Sequence, residues 1–257
     1  MKAIILAAGV GRRLRPVTDH TPKCLVQLNR EPLINNYFRA FNKSAISNAI
    51  LVVGYMAETL KKKIGHKYMG IHVNYVYNPH YASSNSAYSL WLAKNEILES
   101  AFILADGDIL FDTAILEKLV NSSYQNCLVV DSRFVDTGEE VKVVGEGGIV
   151  KRLGKLIDDR YQVVGEAVGL YKFSKNVSNL IVPGLEKHIN DKGRDCEFED
   201  ALNDLLSTLR MHYITTTGLP WMDIDFPEDL KKAKLLFSTF AEGKPDLGVR
   251  DTLRKEA

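Results

Sequence analysis

The sequence predicts an α/β protein, a Rossmann-like, mostly parallel mixed sheet with helices on both faces. Three observations carry that expectation. The chain opens on a short β-branched run, Lys2-Ala3-Ile4-Ile5-Leu6, which breaks at Ala7-Ala8-Gly9; so short an apolar run is a buried central strand rather than a free-standing helix. Similar runs then alternate with segments of helical periodicity through the first half. At 257 residues the chain has the length of one α/β domain, or of one domain with a small appendage.

In chain order, Leu33, Tyr37, Phe38 and Phe41 recur at helical spacing, and that helix ends near Asn42-Lys43-Ser44. Ala49 to Val53 reads as a strand, Glu58 to Tyr68 as a helix, Ile71 to Tyr77 as an alternating strand, Tyr88 to Ile97 as a helix and Ala101 to Ala105 as a central strand. Such alternation implies right-handed crossovers and ligands at the carboxyl ends of the strands. The second half changes character. Cys127 to Asp131, Glu140 to Val144, Gly148 to Arg152 and Ala167 to Phe173 are short β-rich runs punctuated by glycine, the pattern of a small, partly antiparallel β-rich insertion over the site, at about residues 131–173. Ser174 to Ile189 and Glu197 to Leu209 read as helices, the second with Phe198, Ala201, Leu202, Leu205 and Leu206 on one face. Met211 to Thr216 is a strand, and Glu228 to Phe240 a final helix opened by Pro227. The main domain spans residues 1–241, and residues 242–257 form a polar tail, either disordered or docked on a neighbouring subunit.

Lysine and arginine total 33 against 32 aspartates and glutamates. This balance argues against a nucleic-acid or anionic-membrane partner and makes the cations near the N-terminus local. Lys2 to Ala8 is too short for a secretory signal, and no apolar run approaches a membrane span, so a soluble cytoplasmic protein is expected. Cys24, Cys127 and Cys196 are odd in number and far apart, which suits reduced thiols better than a disulfide or zinc framework.

The chemistry begins after the first strand. After Leu6, itself a candidate beside the nucleotide, Ala7, Ala8, Gly9 and Gly11 let backbone N–H groups approach a polyphosphate with little or no side chain in the way. Arg12, Arg13, Arg15 and Lys23 follow to neutralise it. The dinucleotide fingerprint fits poorly: its third glycine would fall at Leu14, and no acidic residue ends the second strand, which runs into Gly54-Tyr55. A Walker P-loop fits worse, for want of a glycine-lysine-serine/threonine triplet opening a helix. Asp106-Gly107-Asp108 lies past a buried strand and reads either as a magnesium site or as a turn. Asp223 and Asp225 of Trp221-Met222-Asp223-Ile224-Asp225 would project to one side of an extended segment. Asp225, just ahead of Pro227, is equally placed to cap the last helix.

The run Leu6-Ala7-Ala8-Gly9-Val10-Gly11-Arg12-Arg13-Leu14-Arg15-Pro16, continued by Thr21-Pro22-Lys23-Cys24-Leu25 and Glu31-Pro32-Leu33-Ile34, resembles the signature of nucleotidyltransferases that activate sugar-1-phosphates, phosphocholine and related compounds. The resemblance implies a fold of the nucleotide-diphospho-sugar transferase type. It also implies catalytic roles for Lys23, Arg13, Asp108 and Asp225, with the metal at Asp108, Asp225 and Asp223, and Asp106 beside the nucleotide. Asn78 to Leu90 resembles the nucleotide-contacting segment of phosphocholine and aminoethylphosphonate cytidylyltransferases. The usual second asparagine is Ser86 here, which leaves Asn85 and Ser89 for the nucleotide, or Ser84 and Asn85 as helix caps. Two further marks of that subfamily, Glu139 to Val143 and Gly165 to Gly169, make Lys142 a holder of acceptor phosphate and Glu166 of acceptor hydroxyls or an amine, unless both are plain strand residues. Tyr81, Tyr171 and Trp221 could add aromatic faces to the acceptor.

The expectation is a Mg2+-dependent cytidylyltransferase. It would join CTP to a small phosphorylated or phosphonate acceptor of the phosphocholine or 2-aminoethylphosphonate type and release pyrophosphate, with a homodimer as one assembly open to it. One alternative is a sugar-1-phosphate or inositol-phosphate nucleotidyltransferase. Another is a catalytically silent nucleotide-sensing subunit, whose usual mark, loss of Lys23 or of the aspartates, is absent here.

Overall fold

The computed structural model describes residues 1–98 and 100–242. Strand β1 (Lys2–Ala7) runs into three 3-10 turns, Arg12–Leu14, Val17–Asp19 and Lys23–Leu25, then a small hairpin, β2 (Gln27–Leu28) and β3 (Glu31–Pro32), and helix α1 (Ile34–Lys43). There follow β4 (Asn48–Val53), α2 (Ala57–Ile64), β5 (Lys67–Tyr68), β6 (Ile71–Tyr77), α3 (Ser86–Leu92), α4 (Lys94–Ile97) and β7 (Phe102–Asp106). The second half holds β8 (Ile109–Phe111), α5 (Thr113–Asn121), β9 (Cys127–Asp131), β10 (Lys142–Glu146), β11 (Ile149–Gly154), β12 (Val163–Phe173), α6 (Lys175–Lys192), α7 (Phe198–Leu205), β13 (His212–Thr215), β14 (Trp221–Asp223) and α8 (Pro227–Glu242).

One ten-stranded sheet, ordered β10-β11-β13-β9-β12-β7-β1-β4-β6-β5, carries the fold. β1 lies parallel between β4 and β7, as an apolar run buried on both faces should. Alternate residues of β1 feed opposite cores. Ile5 packs with the cluster of Tyr37, Phe38 and Phe41, and Ile4 with that of Leu90, Ile97 and Phe173. No described helix is long and apolar enough to cross a membrane.

The β-rich runs of the second half extend this same sheet. Strand β12 is the reason: its last residues, Leu170 to Phe173, pair antiparallel with β7, while Glu166 and Ala167 pair with β9 and Glu166 also with β10. One long strand thus joins the parallel centre to the antiparallel edge. The helix expected from Glu58 to Tyr68 stops at Ile64, because Gly65 takes φ 68° and the chain turns back so that Lys67 and Tyr68 pair with β6. The single helix expected from Tyr88 to Ile97 is divided at Ala93. Strand β8 and helix α5 were not expected, although Ile115, Leu116 and Leu119 have helical spacing and the Asp112 side chain accepts from Ala114 N at 2.9 Å as an N-cap. The tail beyond Glu242 lies outside the described residues.

Candidate active site

A cleft of about 570 Å³ opens at the carboxyl ends of β1 and β7. The turn after β7 crosses directly over the end of β1. A Cβ on Gly107 would stand 2.4 Å from the Leu6 carbonyl oxygen, so only glycine fits there. After β1 the chain bends at Gly11, in the left-handed region at φ 65°, and Thr18 Oγ1 donates to the Gly11 carbonyl at 2.8 Å to fix the bend.

Opposite charges meet at one point in this cleft. Lys23 Nζ donates to Asp108 Oδ2 at 2.8 Å and to Asp225 Oδ1 at 2.6 Å. The Arg13 guanidinium donates to Asp225 Oδ2 at 2.7 Å and to Glu139 Oε2 at 3.3 Å. Burial works to lower the Lys23 ammonium, but Asp108 and Asp225 outweigh it and hold the amine protonated above its ordinary range. Burial likewise opposes ionisation of Asp225, yet Lys23 and Arg13 carry its carboxyl below the ordinary value.

Strand pairing assembles the aspartates from distant parts of the chain. β14 lies antiparallel to β8, with Asp223 opposite Ile109, and Ile224 N donates to the Asp108 carbonyl at 3.0 Å. Water from the cleft reaches Asp223, but protein rings it on its other sides. That enclosure, with Asp108 and Asp225 beside it, pushes its carboxyl well above the ordinary range. Asp225 does not cap α8. The Asp229 carboxylate accepts from Asp225 N at 3.0 Å and Phe226 N at 2.8 Å, leaving Asp225 free to hold the two cations.

Leu6, Ala7, Ala8, Gly9, Arg13, Lys23, Tyr81, Asn85, Ser89, Asp106, Asp108, Asp223 and Asp225 all line the cleft, while Gly11 shapes the loop behind it. Asn85 caps α3 and also lines the cleft. Its Oδ1 accepts from Ser86 N at 2.9 Å to cap α3, and its Nδ2 donates to Glu197 Oε1 at 3.0 Å within the cleft. Ser89 Oγ accepts from Asn78 Nδ2 at 2.9 Å.

The structure puts four expected acceptor residues elsewhere. Trp221 is 2% exposed, and its indole donates to Asp131 Oδ2 at 3.0 Å in the core. Lys142 and Glu166 are opposite one another in the β10–β12 pair, and neither lines the cleft; the Lys142 ammonium lies 2.6 Å from Asp136 Oδ2. The pleat explains this: Val141 and Ala167, one residue away, are the ones that face the cavity. Tyr171 is also in the core, and its hydroxyl donates to Glu199 Oε1 at 2.8 Å.

Glu197 and Glu199 also line the cleft; the sequence marks Glu197 only as the start of a helix and does not single out Glu199. Glu197 Oε1 accepts from Asn85 and its Oε2 from Ser86 Oγ at 2.6 Å. Glu199 is 6% exposed, and burial together with Glu197 pushes its carboxyl up to about 7. Asp106 is pushed up further by burial, Glu199 and Asp108. The alternation Glu197-Phe198-Glu199 was the signal, with a buried aromatic between two carboxylates at a helix start. Glu139, Thr137 and Lys155 also line the cleft and were not expected there as site residues.

The donor set fits a hard divalent cation. Asp108 and Asp225 each place an oxygen within 2.8 Å of one ammonium, so both reach a common point. Among the described residues no three histidines, cysteines or carboxylates converge into a closed cage. Magnesium needs no such cage, since it takes one or two carboxylates and completes its shell with water and substrate phosphates.

A glycine loop, a largely buried lysine with an arginine beside it, and paired aspartates at the carboxyl end of such a sheet define a nucleotidyltransferase. Residues 2–132 match the family model described as Nucleotidyl transferase. The chain is 41% identical over 236 residues to the choline-phosphate cytidylyltransferase of Streptococcus pneumoniae R6, covering 90% of this chain and 96% of that protein. It is 28% identical over 251 residues to the CTP:phosphoglutamine cytidylyltransferase of Campylobacter jejuni, covering 90% and 98%. Among solved structures, the CTP:phosphocholine cytidylyltransferase of Streptococcus pneumoniae superposes with a TM-score of 0.71 at 27% identity, over 92% of this chain and 98% of that one. The inositol-1-phosphate CTP transferase of T. maritima gives 0.77 at 25% identity, over 95% and 97%. The chain belongs to the nucleotidyl transferase family, has the nucleotide-diphospho-sugar transferase fold and stands among the cytidylyltransferases.

Proposed function

We propose that the protein transfers CMP from CTP to a small phosphate or phosphonate acceptor, of the phosphocholine or 2-aminoethylphosphonate kind, with Mg2+ as cofactor and pyrophosphate as leaving group. The observation that carries this reading is the Lys23 ammonium spanning Asp108 and Asp225 beside the Leu6-to-Gly9 loop. Lys23 and Arg13 stay protonated and face the cleft, so they offer fixed positive charge where a triphosphate lies along the loop. Asp108 and Asp225, with Asp223 beside them, would hold Mg2+, whose chemistry there is to neutralise phosphate charge.

An acceptor phosphate or phosphonate oxygen is already ionised near neutral pH, so it needs no strong general base. It forms a bond to the α-phosphorus of CTP as the bond to pyrophosphate breaks in line. The chain's task is to hold two anions together against their repulsion. The test is pyrophosphate release from each of four nucleoside triphosphates against a panel of phosphates and phosphonates, with and without chelator. CTP with phosphocholine or 2-aminoethylphosphonate should be fastest, and chelation should abolish turnover until Mg2+ is restored. Faster turnover of glucose-1-phosphate or inositol-1-phosphate would overturn the acceptor.

A further inference from the structure

Apart from the cations and aspartates already described, the cleft holds a second charged pair that the transfer of CMP itself does not use. Glu197 and Glu199 both line it, on the first turn of α7. Resting on the cytidylyl-transfer reading above, we propose that these two carboxylates hold the head of the acceptor, and that this head is a primary ammonium rather than a quaternary one.

Three observations lead there. First, neither carboxylate has an ion-pair partner among the described residues, although Glu199 is 6% exposed and buried anions are ordinarily paired. Like charge on Glu197 adds to the cost, and Glu199 is accordingly pushed up to about 7 by burial and by that neighbour. A cation arriving from the cleft relieves both.

Second, neutral donors orient the pair without discharging it. Asn85 Nδ2 and Ser86 Oγ donate to the two oxygens of Glu197, and Ser86 Oγ in turn accepts from Phe198 N at 2.8 Å. Tyr171 donates to Glu199 Oε1. A carboxylate offers about four lone-pair sites, so acceptor capacity is left over on each, held in place by its partners.

Third, the cleft offers few free ring faces of the kind a quaternary head prefers. Trimethylammonium groups carry no N–H and are held over ring faces. Among the described residues the rings lining the cleft are those of Tyr81, Phe198 and Phe226. Phe198 is 3% exposed and packs edge-on against Tyr171 at 4.8 Å, and Phe226 lies under the Arg13 guanidinium at 5.2 Å. Tyr81 packs toward Tyr55 at 6.3 Å. An ammonium with three N–H donors matches two oriented carboxylates, and a nitrogen bearing three methyl groups and a methylene, with no N–H, does not.

The test is a methylation series with saturating CTP: phosphoethanolamine, its N-methyl and N,N-dimethyl derivatives, and phosphocholine, with 2-hydroxyethyl phosphate as the uncharged control. Specificity constants should fall along the series by about tenfold or more in total, with the largest step at loss of the last N–H. Glu197→Gln and Glu199→Gln should each raise the KM for phosphoethanolamine by about tenfold or more, leave the KM for CTP within about twofold and change the uncharged control little. CTP binding by titration calorimetry reports whether each variant is folded; if neither binds, the series on the unaltered protein decides. Phosphocholine turned over as well as phosphoethanolamine overturns the primary ammonium. An unchanged acceptor KM in both folded variants overturns the residue assignment. Pyrophosphate release from CTP with inositol-1-phosphate and with none of the amines overturns the transfer reading on which the proposal rests.

Discussion

Lys23 Nζ lies 2.6 Å from Asp225 Oδ1, joining residues 202 positions apart in the chain. The same ammonium reaches Asp108, 85 positions away, so a single cation fastens the start of the chain to the turn after β7 and the segment before α8. Its two carboxylates are matched by two cations, Lys23 and Arg13, while the neighbouring Asp223 carboxyl is pushed well above its ordinary range. Under the proposed reaction, such a centre would have both charges in place before substrate: cations for the triphosphate and carboxylates for a metal.

Lys23→Ala should therefore lower turnover by about a hundredfold or more, the scale of losing one preorganised donor to a developing charge. Steady-state pyrophosphate release, normalised to protein that still shows native circular dichroism, checks this. Release near the unaltered rate from folded Lys23→Ala protein would remove the lysine from the chemistry.

Asp108→Asn and Asp225→Asn test whether the two aspartates act as a unit. Each should abolish most activity, and the double variant should be little worse than either single one, because groups sharing one task are strongly non-additive. Rates that multiply in the double variant would mean separate roles. Helix capping does not confuse the result, since Asp229 rather than Asp225 caps the start of α8.

The loop and the parallel centre were legible in the sequence because local chemistry determines both: β-branched runs become buried strands, and Gly9, Gly11 and Lys23 have few other uses in that order. Asp223 and Asp225 could be paired with Asp108 because they read as one extended run, of which β14, pairing with β8, covers the part up to Asp223. On the acceptor side, parity decides which strand residues line the cleft. Val141 and Ala167 line the cleft while Lys142 and Glu166, one residue away, do not, and a shift of one residue reverses every side chain. The register shift that β12 shows between Ala167 and Tyr171 leaves no trace in composition. Glu197 and Glu199 escaped notice because α7 is amphipathic, and its first-turn acids look like ordinary helix-start charges.

Two glycines of the site should respond in opposite ways to alanine. At Gly107 the new Cβ would meet backbone, 2.4 Å from the Leu6 oxygen and 3.1 Å from its carbonyl carbon, which no rotamer change can relieve. Gly107→Ala should cost about 1–3 kcal/mol or more in stability and displace Asp108. A Cβ on Gly9 would meet nothing within 4 Å, so Gly9→Ala should leave stability within about 0.5 kcal/mol. Gly9 lines the cleft, however, and the added methyl should raise the KM for CTP by about tenfold or more. Urea midpoints and CTP titrations on the pair separate the two effects, and equal stability losses would show that the loop and the turn are misplaced.

The ligand-free protein should lose stability as pH rises from about 5 to about 7. Glu199 has an ordinary value of 4.5 and is pushed up to about 7 in the folded chain by burial first and by Glu197 second. Between those values the folded state keeps a proton that the unfolded state has released. The stabilisation is therefore complete below 4.5, declines through the interval and is gone above about 7. With each pH decade of displacement worth about 1.4 kcal/mol, the effect is on the order of 3 kcal/mol. Asp106 and Asp223, raised by burial and like charge, act in the same direction. Asp225, held low by Lys23 and Arg13, loses its share only as pH falls below the ordinary carboxylate range, outside this interval. Urea midpoints at pH 5.5 and 7.5 should differ markedly for the unaltered protein and clearly less for Glu199→Gln, which keeps the Tyr171 contact but cannot ionise. Equal pH dependence in the two proteins would mean that Glu199 is ionised throughout and that its burial carries no proton.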